Sequence, residues 1–144
     1  RRTCGAGFQL SAKTGKIRTW MSTMRDMPAR DTYLRGDVVL VLFPNSNLRT
    51  ARLRPVLVVQ ADNLDTGLDQ LVVAMMTSRM FRANHPSRVT VLRDSEEGRS
   101  AGILTDSVVM TDNLATIGER EIDQRIGRLP LGTIDQALKH TLGL

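Results

Sequence analysis

Short apolar runs that recur at regular spacing constrain the fold of this chain more than any other feature of its sequence. The two longest, Val38–Phe43 and Leu71–Met76, have six residues each. That is a typical length for a buried strand, and it is far below the roughly 20 residues that a membrane-spanning helix needs. Comparable runs begin at Pro55, Arg88 and Asp106, and turn-forming residues separate them. The sequence therefore predicts a series of short antiparallel strands and no membrane partner.

The pattern changes after the last of these runs. Glu119–Ile126 indicates a short helix, and Ile126–Leu129 a last small strand. In Thr133–Leu142 apolar residues are spaced at i, i+4 and i+8, which predicts a C-terminal helix with one apolar stripe. Short strands followed by peripheral helices predict an α+β domain built on a small, strongly curved antiparallel barrel.

Positive charge is concentrated at the start of the chain. The 144 residues include 20 Lys and Arg against 15 Asp and Glu, a net charge of +5. Residues 1–30 alone hold seven basic residues and one acidic residue, so the rest of the chain is close to neutral. Gly and Ser are scattered through residues 1–33 without periodicity, which predicts a basic flexible tail. We interpret it as an extension outside the native domain rather than a functional basic arm, and predict one domain over residues 34–144.

Within the predicted domain, basic residues gather in one part of the sequence. Residues 49–93 hold seven Arg against three Asp, whereas residues 94–135 hold four Arg against nine acidic residues. A phosphate-bearing ligand would therefore lie most favourably across the loops that follow the first and third strands. The alternative is that these arginines form an ordinary solvated surface, and composition leaves both interpretations open.

Several common catalytic and cofactor motifs are absent from the sequence. It has no Gly-rich phosphate loop, no G-x-S-x-G and no H-E-x-x-H. The single cysteine, Cys4, excludes an intrachain disulfide and a multi-cysteine zinc site, and is consistent with a reducing cytosol. A paired-histidine mechanism would need His85 and His140 to converge. His140 is instead explained by the dipole of the C-terminal helix, and we expect His85 on a surface loop.

Six stretches of the domain carry motifs in a recognisable order. They are RGDVVLVLFP (35–44), RPVLVVQ (54–60), VVAMMTS (72–78), DSVVMTDNLATI (106–117), IGRLP (126–130) and ALKHTLGL (137–144). Together they resemble the MazF/PemK (Kid) toxin family of type II toxin–antitoxin systems, and most of all its PemK-like branch. The resemblance covers residues 34–144. It implies a small SH3-like (CcdB/PemK-type) antiparallel β-barrel with peripheral helices, including a C-terminal helix.

The resemblance also implies an activity. Members of the family are sequence-specific endoribonucleases that cleave single-stranded RNA, chiefly mRNA, without a metal or other cofactor. The ribose 2′-hydroxyl attacks the adjacent phosphate and leaves a cyclic phosphate and a free 5′-hydroxyl end. The resemblance further implies a cytoplasmic homodimer with its RNA groove at the dimer interface, and a cognate antitoxin that covers this groove with an acidic segment.

Three residues occupy positions that the resemblance assigns to catalysis. Arg54, in the Arg-Pro motif, would stabilise the charge of the pentacoordinate phosphorane, a role that we favour over general acid because of its high pKa. Thr77 would donate a hydrogen bond to the scissile phosphate, and Asp112 matches a general base or RNA contact. A strand-end threonine and a loop-capping aspartate are the alternatives for these two. The predicted RNA-binding residues are Arg49, Arg52, Ser78, Arg79 and Arg82.

The sequence departs from the family pattern at three points. The loop Leu48–Arg52 lacks the His and Glu that many MazF toxins carry, Met110 stands where the Kid branch has an arginine, and no general base is identifiable. The alternative function is therefore a non-catalytic interaction module on the same fold, either a CcdB-like topoisomerase poison or a decayed toxin. It ranks second because CcdB-like toxins lack the Arg-Pro and Thr-Ser motifs. A third interpretation, a basic protein that binds nucleic-acid duplexes, would be supported mainly by the high isoelectric point of the chain.

Overall fold

The computed structural model describes residues 32–44 and 47–144, which form six strands and two helices. The basic tail predicted over residues 1–33 lies outside the described residues as far as residue 31 and stays a prediction. The helices are α1 (Glu96–Ala101) and α2 (Gly132–Leu142), and short 3-10 helices span Met80–Arg82 and Glu119–Glu121. The strands are β1 (Asp37–Pro44), β2 (Ala51–Val58), β3 (Gln70–Thr77), β4 (Arg88–Val91), β5 (Ser107–Gly118) and β6 (Ile122–Arg128).

All of these elements belong to one unit, which comprises Tyr33–Leu64 and Asp69–Leu144. Asp65–Leu68 belong to a second unit, in which Leu68 N donates to Thr66 Oγ1 at 3.2 Å in a local turn. The domain boundaries predicted at residues 34 and 144 stay predictions.

The strands form one antiparallel sheet in the order β4-β5-β3-β2-β1-β6. The predicted α+β class and antiparallel sheet are confirmed. Among the described residues β4 and β6 are edge strands, so hydrogen bonding between strands does not close the predicted barrel. Helix α1, which follows β4 along the chain, packs against β6 instead.

Two glycines allow α1 to lie this close to β6. A Cβ atom on Gly127 would be 2.3 Å from Ser100 O, and one on Gly102 would be 2.2 Å from Ile126 O. Gly102 also has a φ of +71°, the left-handed conformation that ends many helices. The sequence indicates only a turn here. The helix forms because Ser95 Oγ accepts from Gly98 N at 3.0 Å and caps its first turn.

The helix predicted over Glu119–Ile126 is wrong. The segment forms a 3-10 helix and then β6, whose Gln124 pairs with Leu40 of β1. Its local spacing of isoleucines fits a helix, but pairing with the exposed edge of β1 satisfies the backbone groups of both strands. The predicted C-terminal helix is confirmed as α2, with Ile134 and Ala137 buried.

The central strands β1 to β3 are buried on both faces along part of their length. Val38 and Leu57 belong to a core cluster that includes Ile134 of α2, whereas their neighbours Val39 and Val56 belong to a second cluster on the other face. Successive strand residues point to opposite faces. Burial of both faces therefore explains why these strands read as continuous apolar runs rather than alternating ones.

A buried charge joins β1 to β6. Asp37 is fully buried, and its carboxylate accepts from Leu34 N at 2.8 Å, Arg128 Nη1 at 2.9 Å and Arg125 Nη1 at 3.2 Å. Since an unpaired buried carboxylate would be costly, these donors explain how an aspartate is tolerated at this position. They also anchor β6, which contributes one wall of the site described next.

Candidate nucleic-acid interface

A cleft of about 930 Å³ opens on the sheet, with walls from β1, β2, β3, β5, β6 and the segments that follow β3 and α1. It brings together most of the residues that the sequence predicts for the site. Arg49 and Asp112 are the two that do not line it. The predicted site residues that do are Arg52, Arg54, Thr77, Ser78, Arg79 and Arg82.

Arg54 of β2 and Thr77 at the end of β3 both line the cleft. The last pair between β2 and β3 is Val56 with Met75, and Arg54 and Thr77 each lie two residues beyond it. Residues two positions apart in a strand point to the same face. The Arg-Pro motif and the Thr-Ser motif, which lie 23 positions apart in the sequence, therefore contribute Arg54 and Thr77 to the same cleft.

Pro55 explains why the β2–β3 ladder ends where the cleft begins. Val59 N donates to Val72 O of β3, and alternate residues of a strand direct their backbone groups to the same side, so residue 55 also faces β3. Proline has no N–H to donate there. Because β2 stays paired with β1 as far as Ala51, only β3 separates from it, and the space between them is the cleft.

Hydrogen bonding orients the Thr77 hydroxyl toward donation. Arg79 N donates to Thr77 Oγ1 at 3.1 Å, so the oxygen already acts as an acceptor. No acceptor among the described residues takes the hydroxyl hydrogen. Thr77 can therefore donate that hydrogen to a ligand in the cleft.

The cleft is strongly electropositive. No acidic residue is among the described residues that line it. The side chains of its arginines also have no carboxylate partner within 4.0 Å in the described part of the chain. Arginine presents a planar fork that fits the oxygens of a phosphate. The arginines concerned are Arg52, Arg54, Arg79 and Arg82.

Asp112 does not line the cleft and forms an ion pair with Arg88. Its Oδ2 is 2.9 Å from Arg88 Nη2, and this hydrogen bond holds the pKa of Asp112 below its ordinary value. Arg88 Nη1 also donates to Arg82 O at 2.9 Å. A bulge in β5 causes this placement: Ala74 pairs with Leu114 but Met75 pairs with Met110, which leaves residues 111–113 without a partner on β3.

The two histidines converge outside the cleft. The ring centroids of His85 and His140 are 6.0 Å apart in an edge-to-face arrangement, although neither residue lines the cleft. Ser87 N donates to His85 Nδ1 at 3.1 Å. The convergence that a paired-histidine mechanism would need is therefore present, but it is separate from Arg54 and Thr77.

A family model described as the PemK-like, MazF-like toxin of type II toxin–antitoxin systems matches residues 34–141. The chain belongs to this family. Among curated proteins, this PemK-like toxin is similar to the Endoribonuclease EndoA of Bacillus subtilis (strain 168), with 28% identity over 114 residues. That alignment covers 76% of the chain and 94% of the relative.

Solved structures show the same fold. An endoribonuclease from a mycobacterial species, solved with its cognate antitoxin, has a TM-score of 0.59 and 24% identity, over 78% of this toxin and 97% of that chain. A MazE–MazF structure from Deinococcus radiodurans has a TM-score of 0.61 and 18% identity, over 80% of this toxin and 99% of that chain. Within the described part of this PemK-like toxin, no helix is long and apolar enough to cross a membrane.

Two further residues of the cleft were missed by the sequence predictions. Asn113 and Gln124 line it, and neither side-chain amide has a hydrogen-bond partner among the described residues. Asn113 reaches the cleft through the β5 bulge, and Gln124 through the pairing of β6 with Leu40. Both placements depend on contacts between distant strands, for which the local sequence carries no signal.

Arg82 places a positive charge beside Met110, the residue at which this PemK-like toxin differs from the Kid branch. Its Nη1 lies 3.8 Å from the sulfur of Met110, the residue that stands in place of an arginine. The cleft therefore has a cation beside Met110, although it comes from the segment that follows β3 and not from β5.

Proposed function

We propose that this PemK-like toxin is an endoribonuclease that cleaves single-stranded RNA, including mRNA, at specific short sequences. The observation that carries the proposal is the acid-free cleft with four arginines, which is lined both by Arg54 and by Thr77, whose hydroxyl is free to donate. A cleft of this charge favours a polyanion. The relative EndoA, whose alignment covers most of both chains, is named as an endoribonuclease.

In the proposed reaction the ribose 2′-oxygen forms a bond to the adjacent phosphorus, and the bond from phosphorus to the 5′-oxygen breaks. A base takes the 2′-hydroxyl proton, and an acid or water returns a proton to the departing 5′-oxygen. The products are a 2′,3′-cyclic phosphate and a 5′-hydroxyl. This sequence of steps requires no metal or other cofactor.

Arg54 and Thr77 supply electrostatic stabilisation in this scheme. Negative charge grows on the non-bridging oxygens as the phosphorane forms. A guanidinium on one side and a hydroxyl donor on the other would stabilise that charge more than the charge of the starting phosphodiester. Arg82, beside Met110, adds a second cation for the same or the next phosphate.

The ion pair between Asp112 and Arg88 favours a positioning role for Asp112. Arg88 also holds the carbonyl of Arg82, so Asp112 supports the segment that carries two of the cleft arginines. A carboxylate with a lowered pKa is also a weaker base. The role of general base predicted for Asp112 is tested against this positioning role below.

The main test compares Arg54→Ala with Arg120→Ala on unstructured RNA. Both substitutions remove one positive charge, but Arg120 lies outside the cleft. We expect Arg54→Ala to lower kcat by about 10²–10³-fold, as when one donor to a transition-state oxyanion is removed. Arg120→Ala should keep the wild-type rate, and cyclic phosphate ends should form in the presence of a metal chelator. A fully active Arg54→Ala enzyme would contradict this site, and RNA binding without cleavage by the wild type would favour the non-catalytic module.

Asp112→Asn separates the two roles of Asp112. Loss of a general base would lower kcat by about 10²–10⁴-fold. A positioning role would mainly raise KM and leave kcat within a few-fold of wild type, because the Arg82 segment binds substrate. The comparison requires steady-state kinetics on one mapped cleavage site.

We further propose that the toxin acts in the cytoplasm as a homodimer and that a cognate antitoxin inhibits it with an acidic segment. The mycobacterial and Deinococcus structures described above contain toxins bound to antitoxins. An acid-free, arginine-lined cleft is complementary to an acidic peptide. Such a segment should compete with RNA for the wild-type toxin and bind Arg54→Ala more weakly.

The proposed homodimer is tested separately. Light scattering measures the mass of the free toxin, and a monomer at micromolar concentration would contradict the dimer.

A further inference from the structure

Phe81 is an exposed aromatic residue in the segment that follows β3, between two arginines that line the cleft. It occupies the middle of the 3-10 helix Met80–Arg82, and its side chain is 79% exposed. The other described aromatic residues with Phe or Tyr rings, Tyr33 and Phe43, are half-buried against a core cluster. An aromatic ring left in water lacks the contacts that normally stabilise it. Its position therefore suggests a partner outside the chain.

One cation of the cleft lies close to this ring, and a second lies near it in the sequence. Arg79 and Arg82, on either side of it in sequence, both line the cleft. The Arg82 guanidinium carbon lies 5.8 Å from the centroid of the Phe81 ring, and its Nη1 is 3.8 Å from Met110 Sδ. The Arg82 guanidinium is therefore close both to the Phe81 ring and to Met110, which lines the cleft. Asp112, whose partner Arg88 also contacts the Arg82 carbonyl, has its charge compensated by that ion pair.

Hydrogen bonds fix the backbone that carries this ring relative to Thr77. Arg82 N donates to Arg79 O and Ala83 N to Met80 O, both at 3.0 Å, and Arg88 Nη1 donates to Arg82 O at 2.9 Å. The first residue of this segment, Arg79, also donates to Thr77 Oγ1. A ring on a fixed backbone segment loses less conformational freedom when a planar ligand stacks on it than one on a mobile segment, which favours binding.

We propose that Phe81 is a stacking platform for a nucleobase of the bound RNA, one that flanks the nucleotide whose phosphate lies between Arg54 and Thr77. A base presents a flat face and a charged backbone, and the site offers a flat ring beside unpaired cations. An apolar protein surface is less well matched, because it would cover the ring without supplying anionic groups to these arginines, and an acidic antitoxin segment is distinguished by the test below. The inference rests on the proposed function in that its ligand is single-stranded RNA.

The test measures RNA affinity by fluorescence anisotropy with a single-stranded RNA of about 12 nucleotides that contains 2-aminopurine at one position in turn. Deoxyribose at the attacking nucleotide prevents cleavage. The variants are Phe81→Ala, Phe81→Leu, which keeps an apolar side chain without a ring, and Phe81→Tyr, which keeps the ring. Leu92→Ala removes an apolar side chain that is 50% exposed and does not line the cleft, and serves as the control.

We expect Phe81→Ala and Phe81→Leu to weaken binding by about 5- to 150-fold, the range for loss of one base–aromatic stack. Phe81→Tyr and Leu92→Ala should bind as wild type. At one position in the RNA, the fluorescence of 2-aminopurine should be quenched when the wild type binds and not when Phe81→Ala binds. In contrast to Arg54→Ala, Phe81→Ala should keep kcat at saturating RNA.

Three results would overturn the inference. Wild-type affinity in Phe81→Leu would show that an apolar contact suffices, and wild-type affinity in Phe81→Ala would show that no stack exists. A changed oligomeric mass or weaker antitoxin binding by Phe81→Ala, with unchanged RNA affinity, would assign the ring to a protein interface. A wild type that binds the probe but cleaves no RNA would contradict the proposed function alone.

Discussion

At the scale of single residues, the arginines of the cleft differ from those that hold the fold together in having no carboxylate partner in the described part of the chain. Arg125 and Arg128 are paired with the buried Asp37, whereas Arg54 and Arg82 have no such partner among the described residues. A guanidinium that is paired with a carboxylate has part of its hydrogen bonding and much of its charge compensated within the protein. The arginines that line the cleft keep both for a ligand, which is why we assign them to RNA binding in the proposed function.

Asp37→Asn should destabilise the fold without reaching the cleft directly. The amide removes the negative charge that Arg125 and Arg128 share, and hydrogen bonds to charged groups contribute about 1.5–3 kcal/mol each. Both arginines are about half exposed and can regain water, so we expect a loss of about 2–3 kcal/mol in the free energy of unfolding. Urea denaturation measures it. Asp123→Asn, an exposed change in β6, should be close to neutral, and equal effects in both variants would contradict the prediction.

The ion pair between Asp112 and Arg88 should make stability depend on pH in the acidic range only. Since the folded state lowers the pKa of Asp112 below its value in the unfolded chain, the ionised carboxylate stabilises the fold above about pH 4. That stabilisation is lost as the pH falls through the folded-state pKa. The difference in Tm between wild type and Asp112→Asn should therefore be constant from pH 6 to pH 8 and shrink below about pH 4. A difference that changes around pH 7 would point to another group.

Much of the site could be predicted at the residue scale, and the exceptions share a cause. Arg54 and Thr77 are found from short motifs, because each motif keeps its chemical residue within a few positions of a strand end. The direction of Asp112 and the cleft position of Asn113 depend on the bulge in β5, which arises from the offset between two distant strands. No local pattern encodes that offset.

At the scale of elements, the contact between α1 and β6 is close enough that one methyl group should disturb it. A Cβ on Gly127 would lie 2.3 Å from a backbone oxygen of α1, so Gly127→Ala must move the helix or the strand. Overpacking of this kind costs about 1–3 kcal/mol. The matched control is Gly132→Ala at the start of α2, where nothing lies within 4 Å and alanine favours the helix. Thermal unfolding of both variants tests the prediction, and equal Tm values would contradict it.

The elements that the sequence predicts well are those whose pattern follows from burial alone. The runs in β1 to β3 are apolar because both faces of these strands are covered. In β6 the spacing of Ile122 and Ile126 is that of a helix, and only the pairing with β1 decides for a strand. Helix α1 has six residues and is held by its cap and by contact with β6, so its own sequence gives a weak signal.

At the scale of the whole molecule, the positive charge of the cleft and the net positive charge of the chain come from different residues. Residues 1–30 carry a net charge of +6, whereas the cleft concentrates unpaired arginines in a domain that is close to neutral. Affinity for specific RNA should therefore follow the cleft and not the net charge. Non-specific affinity for duplexes should follow residues 1–30.

The salt dependence of RNA binding separates these two sources. Each phosphate neutralised on a single strand contributes about −0.7 to the slope of log K against log salt, so four cleft arginines give a slope near −3. Arg52→Ala should reduce its magnitude by about 0.7. Anisotropy titrations between 50 and 300 mM salt measure the slope. Deletion of residues 1–30 should leave the slope for the specific RNA nearly unchanged, and a large fall would assign binding to that segment instead.

The end of the β2–β3 ladder at Pro55 also has a consequence for the proposed site. Three residue pairs join β2 to β3, against seven between β1 and β2, and Val59 N and Gln60 N add two hydrogen bonds to Val72 O. All of these contacts lie on one side of Pro55, and Arg54 and Thr77 lie on the other. Among the described residues, no pair between the two strands therefore fixes the distance between the two groups that would act on one phosphate. A single missing N–H thus leaves each of these groups to be positioned by its own strand.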